Sequence, residues 1–283
     1  MYYTLIGISA VMFGLQFFFQ EGYQKREGTG MNTAILFSLG VAVVTVIAMF
    51  AICRTVEFSW FSCLMAFLSA LIGIGFLYCS ALAFGKVNLS VYSLFSMLGG
   101  MLLPAIAGIC FFGEKLSPGQ GFCILAIIAA LMIGTDQKAD RKTLCYCLLI
   151  FFLNGMAGVV SKWHQSYPEQ AISSSGFMLL KSLLTIVLCG ALLFGMRKKR
   201  TKLQNPGAAV LSMTGYGLMT GIANFLILVA LLHVNASVQY PMITGGTIVV
   251  STALGIIQKE QITKRNLLAA GIALLGTVMI AVF

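Results

Sequence analysis

Lys181 lies inside an apolar run extending from about residue 171 to residue 195, ten residues from one end and fourteen from the other. At a rise of about 1.5 Å per helical residue, that position is near the middle of a membrane-spanning helix, and its stem strains to reach either surface. An ammonium held there costs about 2.5 kcal/mol or more, so something must offset it. The chemistry open to it is contact with an anionic or carbonyl group, or loss of its proton in a dry setting. The carboxylates Glu21, Glu57, Glu114 and Glu260 all stand at the ends of apolar runs, so none is expected at its depth.

Side-chain amides come next, because each brings two donors and an acceptor that need partners. Gln16, Asn154 and Asn224 each sit in an apolar run. Helical spacing collects them with other polar residues into stripes. These are Ser9, Gln16 and Gln20; Tyr92, Ser96 and Gly99 or Gly100; Asn154, Gly158 and Ser161; Ser174, Phe177, Lys181 and Thr185; Thr214, Gly217, Gly221 and Asn224; and Tyr240, Thr244, Thr247 and Ser251. The candidate solute contacts are Lys181, Asn154, Asn224, Gln16, Tyr92, Ser96, Phe177, Tyr216, Tyr240 and Thr244. An alternative stays open at this point. Tyr78, Tyr92, Phe177, Tyr216 and Tyr240 could instead cage a quaternary amine by cation–π contact. Ser, Thr and Gly stripes also serve helix packing, and the Gly99–Gly100 and Gly245–Gly246 pairs are read that way first.

Catalytic sets are scarce. The two Asp, Asp136 and Asp140, share one loop, and the two His, His164 and His233, are far apart in the chain. An embedded enzyme needs paired carboxylates or a metal constellation, so no catalytic, metal or cofactor role is expected. Most of the cysteines lie in apolar runs and are read as free thiols.

These residues must be positioned by elements suited to lipid. The 283-residue chain is 59% hydrophobic and only 9% charged, with a mean hydropathy of +0.96. A soluble domain carries about 25% charged residues. Apolar runs of about 20 residues without period-2 alternation select helices over a barrel. The runs fall at about 2–20, 31–53, 58–85, 90–112, 117–134, 142–161, 171–195, 207–231, 236–257 and 264–283. The expected fold class is therefore all-α integral membrane, with ten transmembrane helices. The first run begins at Tyr2 without a basic segment before it or a small-residue cleavage site, and is read as the first membrane helix.

The chain echoes itself. Lys86-Val87-Asn88-Leu89-Ser90 opens the fourth run and His233-Val234-Asn235-Ala236-Ser237 the ninth. Met97-Leu98-Gly99-Gly100 answers to Ile243-Thr244-Gly245-Gly246, and the exit Glu114-Lys115-Leu116-Ser117 to Glu260-Gln261-Ile262-Thr263. Two halves follow, 1–137 and 138–283. Five spans is an odd number, so the second half enters from the opposite side, making an inverted repeat with a solute site between the halves. The fifth and tenth runs lack polar stripes and should lie outermost, against lipid or a second copy of the chain.

The net charge of +10 reflects loops, not nucleic-acid binding. Fourteen Lys and Arg fall in the loops after the odd-numbered helices, densest at Arg197–Lys202, against Arg54, Lys115 and Lys162 in the others. The positive-inside rule puts the first set in the cytoplasm and both termini outside.

On the Gly113–Glu114 exit, the glycines Gly121 and Gly134 that follow, and the parallel stretch with Glu260, Gly271 and Gly276, the chain resembles the drug/metabolite transporter superfamily in its ten-helix, EamA-type form. The resemblance covers the whole chain. It implies a permease of the bacterial cytoplasmic membrane that moves a small organic solute by alternating access. The solute class it implies is broad: amino acids, organic anions, drugs or quaternary amines, with lipid flipping a further variant. One departure is specific. Where four-helix relatives carry an embedded glutamate in helix 1, this chain reads Met12-Phe13-Gly14-Leu15-Gln16. The charge count makes a direct prediction: on whole cells, tags at both termini are reachable, and a membrane-impermeant thiol reagent leaves a cysteine placed in the Arg197–Lys202 loop unlabelled. Labelling of that loop reverses the orientation.

Overall fold

The computed structural model describes residues 1–283 apart from 54–56, 85, 87–88, 116, 135–140, 197–202, 258–263 and 283. Val87 and Asn88 of the first echo, Glu260 to Thr263 of the second exit, Asp136, Asp140 and the Arg197–Lys202 cluster lie outside the described residues.

Ten helices run in chain order among the described residues: α1 Tyr2–Glu27, α2 Met31–Cys53, α3 Trp60–Phe84, α4 Leu89–Phe112, α5 Pro118–Gly134, α6 Arg141–Gln165, α7 Ser174–Gly195, α8 Pro206–Leu231, α9 Ala236–Ile257 and α10 Lys264–Val282. Eight of them are long and apolar enough to cross a membrane; the exceptions, α5 and α10, carry shorter apolar stretches. Two helices outrun their apolar segments. α1 continues through Gln20 to Glu27, where a Glu21–Lys25 pair four residues apart (2.7 Å) supports the extra turns. α6 continues to Gln165. Glu21 thus lies within a helix and is buried, not at an end. Hydropathy marks where side chains stop being apolar, whereas a helix ends only where its backbone does.

The major helix pairings close into a ring. α1 packs on α9, α9 on α4, α4 on α6, α6 on α3, α3 on α7, α7 on α2, α2 on α8, and α8 back on α1. The ring helices are the same eight that are long and apolar enough to span. α5 and α10 pack on each other outside the ring, and α10 leans on α9.

Small residues set how closely the ring closes. Gly99 on α4 lies against the backbone of Phe151 on α6, and Gly155 faces the Gly99 carbonyl and Leu103. A Cβ at Gly158 would enter the ring of Pro104, so the helix-interior proline nests against a glycine. At the α2–α8 crossing Gly217 and Gly221 meet Val44 and Thr45, and Gly14 meets Val250 across α1 and α9. In lipid, no hydrophobic drive holds helices together, so this intimacy supplies the dispersion contact that does.

Helix starts are closed by carboxylates carried on distant segments. Glu27 accepts from the Gln204 and Asn205 N–H groups (2.6 and 2.9 Å) just before α8. Glu57 accepts from the Ser173 N–H and hydroxyl (both 2.7 Å) at the start of α7. Glu114 accepts from the Ala236 and Ser237 N–H groups (3.1 Å each), the first of α9. Each places negative charge at the positive end of a helix dipole and satisfies orphan donors. The glycine contact with backbone is the least forgiving of these features. Gly99→Ala should lower the melting temperature in detergent, costing about 1–3 kcal/mol as overpacking does. An unchanged melting temperature would show that the α4–α6 crossing is not built on this contact.

Candidate functional site

Inside the ring lies a cavity of about 200 Å³. That is room for roughly a dozen water-sized groups. All eight ring helices line it, and no described residue of α5 or α10 does. Eight of the ten sequence-derived candidates are on its wall: Lys181, Asn154, Asn224, Gln16, Ser96, Tyr216, Tyr240 and Thr244.

Two are elsewhere. Tyr92 is fully buried between α1 and α3, its hydroxyl 2.8 Å from the Ser80 hydroxyl and donating weakly to Gln20 Oε1 at 3.4 Å, with Phe17 edge-on at 5.4 Å. Phe177, about one turn before Lys181, stacks on His164 at 4.0 Å. Shared helical face put both in the stripes; Tyr92 lies a turn beyond Ser96 along α4, whereas Phe177, level with the wall residue Met178, is turned onto His164 instead. Sequence reasoning missed Thr220, whose hydroxyl donates to Gln16 Oε1. The spacing Tyr216–Thr220–Asn224 could have revealed it; the stripe chosen on α8 instead followed Gly217 and Gly221, which form the packing face.

The amides on the wall each spend one arm on a neighbouring helix or their own. Asn154 Nδ2 donates to the Ser96 carbonyl on α4 (2.7 Å), and Asn224 Nδ2 to the Thr220 carbonyl (2.8 Å). The Tyr240 hydroxyl donates to the Gly158 carbonyl (3.2 Å) and Thr244 to the Met97 carbonyl (3.2 Å). These bonds fix rotamers and hold the wall in shape. Asn154 Oδ1, Asn224 Oδ1 and Gln16 Nε2 enter no bond among the described residues, so both acceptors and a donor remain for a bound molecule.

Among the described residues, Lys181 is the single charged side chain on the wall. α7 begins at Ser174, three residues later than its apolar run, so Lys181 sits about two turns from that end rather than at the helix centre. Among the described residues, the salt bridges are Lys25–Glu21 and Lys162–Glu114, and the Lys181 ammonium has neither a carboxylate nor a hydrogen-bond partner.

Beyond Ser161 and Met178 on the cavity wall, α6 and α7 meet in a buried knot. His164, fully buried, lies between Phe177 (4.0 Å) and Phe61 (6.0 Å), with Nε2 2.9 Å from the Ser62 hydroxyl. A Ser–His contact can activate a nucleophile. Here both residues are sealed from solvent, and Ser62 Oγ also accepts from the Ile172 N–H (3.0 Å), so the pair ties α3, α6 and the start of α7 together. Among the described residues no three His, Cys, Asp or Glu side chains gather as metal ligands.

Beside this knot stands the Gly113–Glu114 exit. Gly113 has φ +66°, the left-handed region that glycine enters most readily, and the turn folds Glu114 back so that its N–H bonds the Gly108 carbonyl (3.0 Å). The carboxylate then meets Lys162 at 2.6 Å as well as the start of α9. Burial raises the carboxyl's pKa, but the Lys162 bond and the two backbone donors outweigh it and hold it below the ordinary carboxylate range. The motif therefore clamps α4, α6 and α9 at one end of the bundle.

No family model matches the chain, and no curated protein is similar to it. Solved structures do share its fold. One, described as "Crystal structure of protein", superposes with a TM-score of 0.73 over 98% of this chain and 95% of its own at 14% identity. That likeness concerns the fold alone.

Because the folded Glu114 carboxyl is the stronger acid, its contribution is complete at neutral pH and is lost as pH falls through and below the usual carboxylate range. Glu114→Ala should melt lower at pH 7, by about 1–2 kcal/mol as for a lost helix cap. It should also lose part of the acid sensitivity of the parent, read from melting temperatures between neutral and acid pH. Parallel curves would remove Glu114 from the clamp.

Proposed function

We propose that the protein is a permease that carries a small organic solute through the ring by alternating access, with Lys181 receiving the solute's negative or carbonyl end. The observation that carries this reading is an ammonium without a protein partner among the described residues on the wall of a cavity inside a lipid-suited bundle. A buried charge requires compensation, and the wall provides none. A singly charged organic anion supplies it, while the free amide groups of Gln16, Asn154 and Asn224 match its polar remainder.

Two inverted repeats, 1–137 and 138–283, are part of the proposal. Exchanging each helix with the one five places on maps the whole ring of pairings onto itself, and α5–α10 onto itself as well. In this reading all ten helices span, α5 and α10 as short peripheral ones. Phe122, Leu125 and Leu275, all exposed, then face lipid or a second copy of the chain. The resemblance to EamA-type drug/metabolite transporters and a bacterial cytoplasmic membrane location belong to the same reading. A quaternary-amine cage fits less well, since Tyr92 and Phe177 lie off the wall and Lys181 would repel the cation.

The test is ligand-induced stabilisation of the purified protein against small carboxylates, amino acids and choline, because a ligand raises the melting point by mass action. A carboxylate should stabilise the parent. Lys181→Met keeps the length and removes the charge. It should fold, yet bind that carboxylate at least tenfold more weakly, about 1.4 kcal/mol. Equal binding by the variant, or stabilisation by choline alone, rejects the assignment of Lys181.

A further inference from the structure

Gln16 is the first of three glutamines spaced four apart on α1; Gln20 and Gln24 follow, and all three are buried. Four-residue spacing keeps them on one side of the helix, which carries them about 12 Å from the cavity toward the C-terminal end of α1. Burying an amide in a lipid-embedded bundle is costly unless it is bonded. The amides of the cavity wall meet that condition through Thr220, Ser96 and the helix carbonyls. The next two meet it progressively less. Gln20 is 0% exposed; its Oε1 accepts a long bond from Tyr92 and its Nε2, like that of Gln16, has no partner among the described residues. Gln24 is 4% exposed and neither its Nε2 nor its Oε1 has one. Amides kept for helix packing would be expected to bond across the interface. The open groups form a row that starts with Gln16 on the cavity wall and runs toward the C-terminal end of α1.

We propose that Gln16, Gln20 and Gln24 form a polar track by which the cavity's solute and its water reach the face of the protein at the C-terminal end of α1. The inference rests on the permease reading of the cavity. The chemistry suits a small hydrated anion: each amide offers N–H donors to a carboxylate and an oxygen to water or hydroxyl, at no net charge that would trap it. Tyr92 gains a place in this scheme. Its hydroxyl, between Gln20 and Ser80, borders the first step beyond the cavity, so this buried phenol is a positioning residue of the track and not of the solute site. Toward the opposite end lie the stacked rings of His164, Phe177 and Phe61, and the open buried groups there, Ser237 Oγ and Gln239 Oε1, stand on α9 without a four-residue row among the described residues.

Thiol access tests the track without knowledge of the solute. Single cysteines replace Gln20 or Gln24 in the full chain, with Lys25→Cys (an exposed site) and Ile6→Cys (an apolar buried one) as references. Each is reconstituted in liposomes and treated on either face with 2-sulfonatoethyl methanethiosulfonate, a membrane-impermeant anion, against the parent's own background. Both glutamine positions should react from the face that modifies Lys25→Cys, at least about tenfold faster than Ile6→Cys, as expected of sites opened by conformational exchange. Reaction no faster than at Ile6→Cys overturns the track. Gln24→Leu gives a second reading. It keeps the bulk and removes an open buried amide, so its melting temperature should be equal or higher. A fall of about 4 °C or more, on the order of 1 kcal/mol in a small domain, assigns Gln24 to packing and overturns the proposal. If the glutamine cysteines react while no carboxylate stabilises the parent, the track stands as an aqueous path and the anion-permease reading fails instead.

Discussion

Hydrocarbon offers no water to a polar group that the protein leaves unbonded, and the arrangement of this bundle follows from that fact. The described carboxylates Glu27, Glu57 and Glu114 each close the start of a helix that lies elsewhere in the sequence. Hydroxyls inside the helices turn back onto carbonyls, as Ser38, Thr45 and Ser80 do. Where polar groups meet between helices they hold specific pairs, Asn154 to α4 and Tyr240 to α6. The groups left unpartnered among the described residues include Lys181, the amides of Gln20 and Gln24, the hydroxyls of Ser69, Ser96 and Ser237, and Gln239 Oε1; of these only the α1 glutamines form a row along one helix.

Packing follows the same constraint from the apolar side. Lipid tails are as apolar as leucine, so helices gain from meeting only if their backbones come close enough for dense contact. The glycines at the α4–α6, α2–α8 and α1–α9 crossings provide that closeness. The eight helices therefore close as a ring instead of filling the centre, and the space left inside is the cavity. α5 and α10, almost wholly apolar, have no polar face to present to that space and pair outside it.

Much of this was legible beforehand because each feature rests on composition or on spacing along one helix. The helix starts agree closely with the apolar runs, since hydropathy and helical propensity rise together there. Eight of the ten candidate solute contacts reached the cavity wall, since a polar residue in mid-span has few other places to go. Tyr92 and Phe177 share a helical face with wall residues, but Tyr92 lies a turn further along α4 against Ser80, and Phe177 is turned onto His164. Thr220 was passed over because glycines marked a different face of α8 as the interesting one, and those glycines turned out to serve packing on Val44 and Thr45.

By itself, then, the sequence determined that this is a helical chain with helices apolar enough to cross a membrane, where those helices run, and which few residues carry polar chemistry into the apolar interior, because those properties depend on the transfer of individual side chains and on a period of 3.6 residues. Only the tertiary structure decided the order of the ring, the depth at which each side chain meets its neighbours, the caps that Glu27, Glu57 and Glu114 provide, and which polar groups are left without a partner. Those depend on pairs of residues more than a hundred positions apart, such as Glu57 with Ser173 or Asn224's helix with Gln16. No local pattern encodes which of several chemically equivalent partners a folded chain will bring within 3 Å.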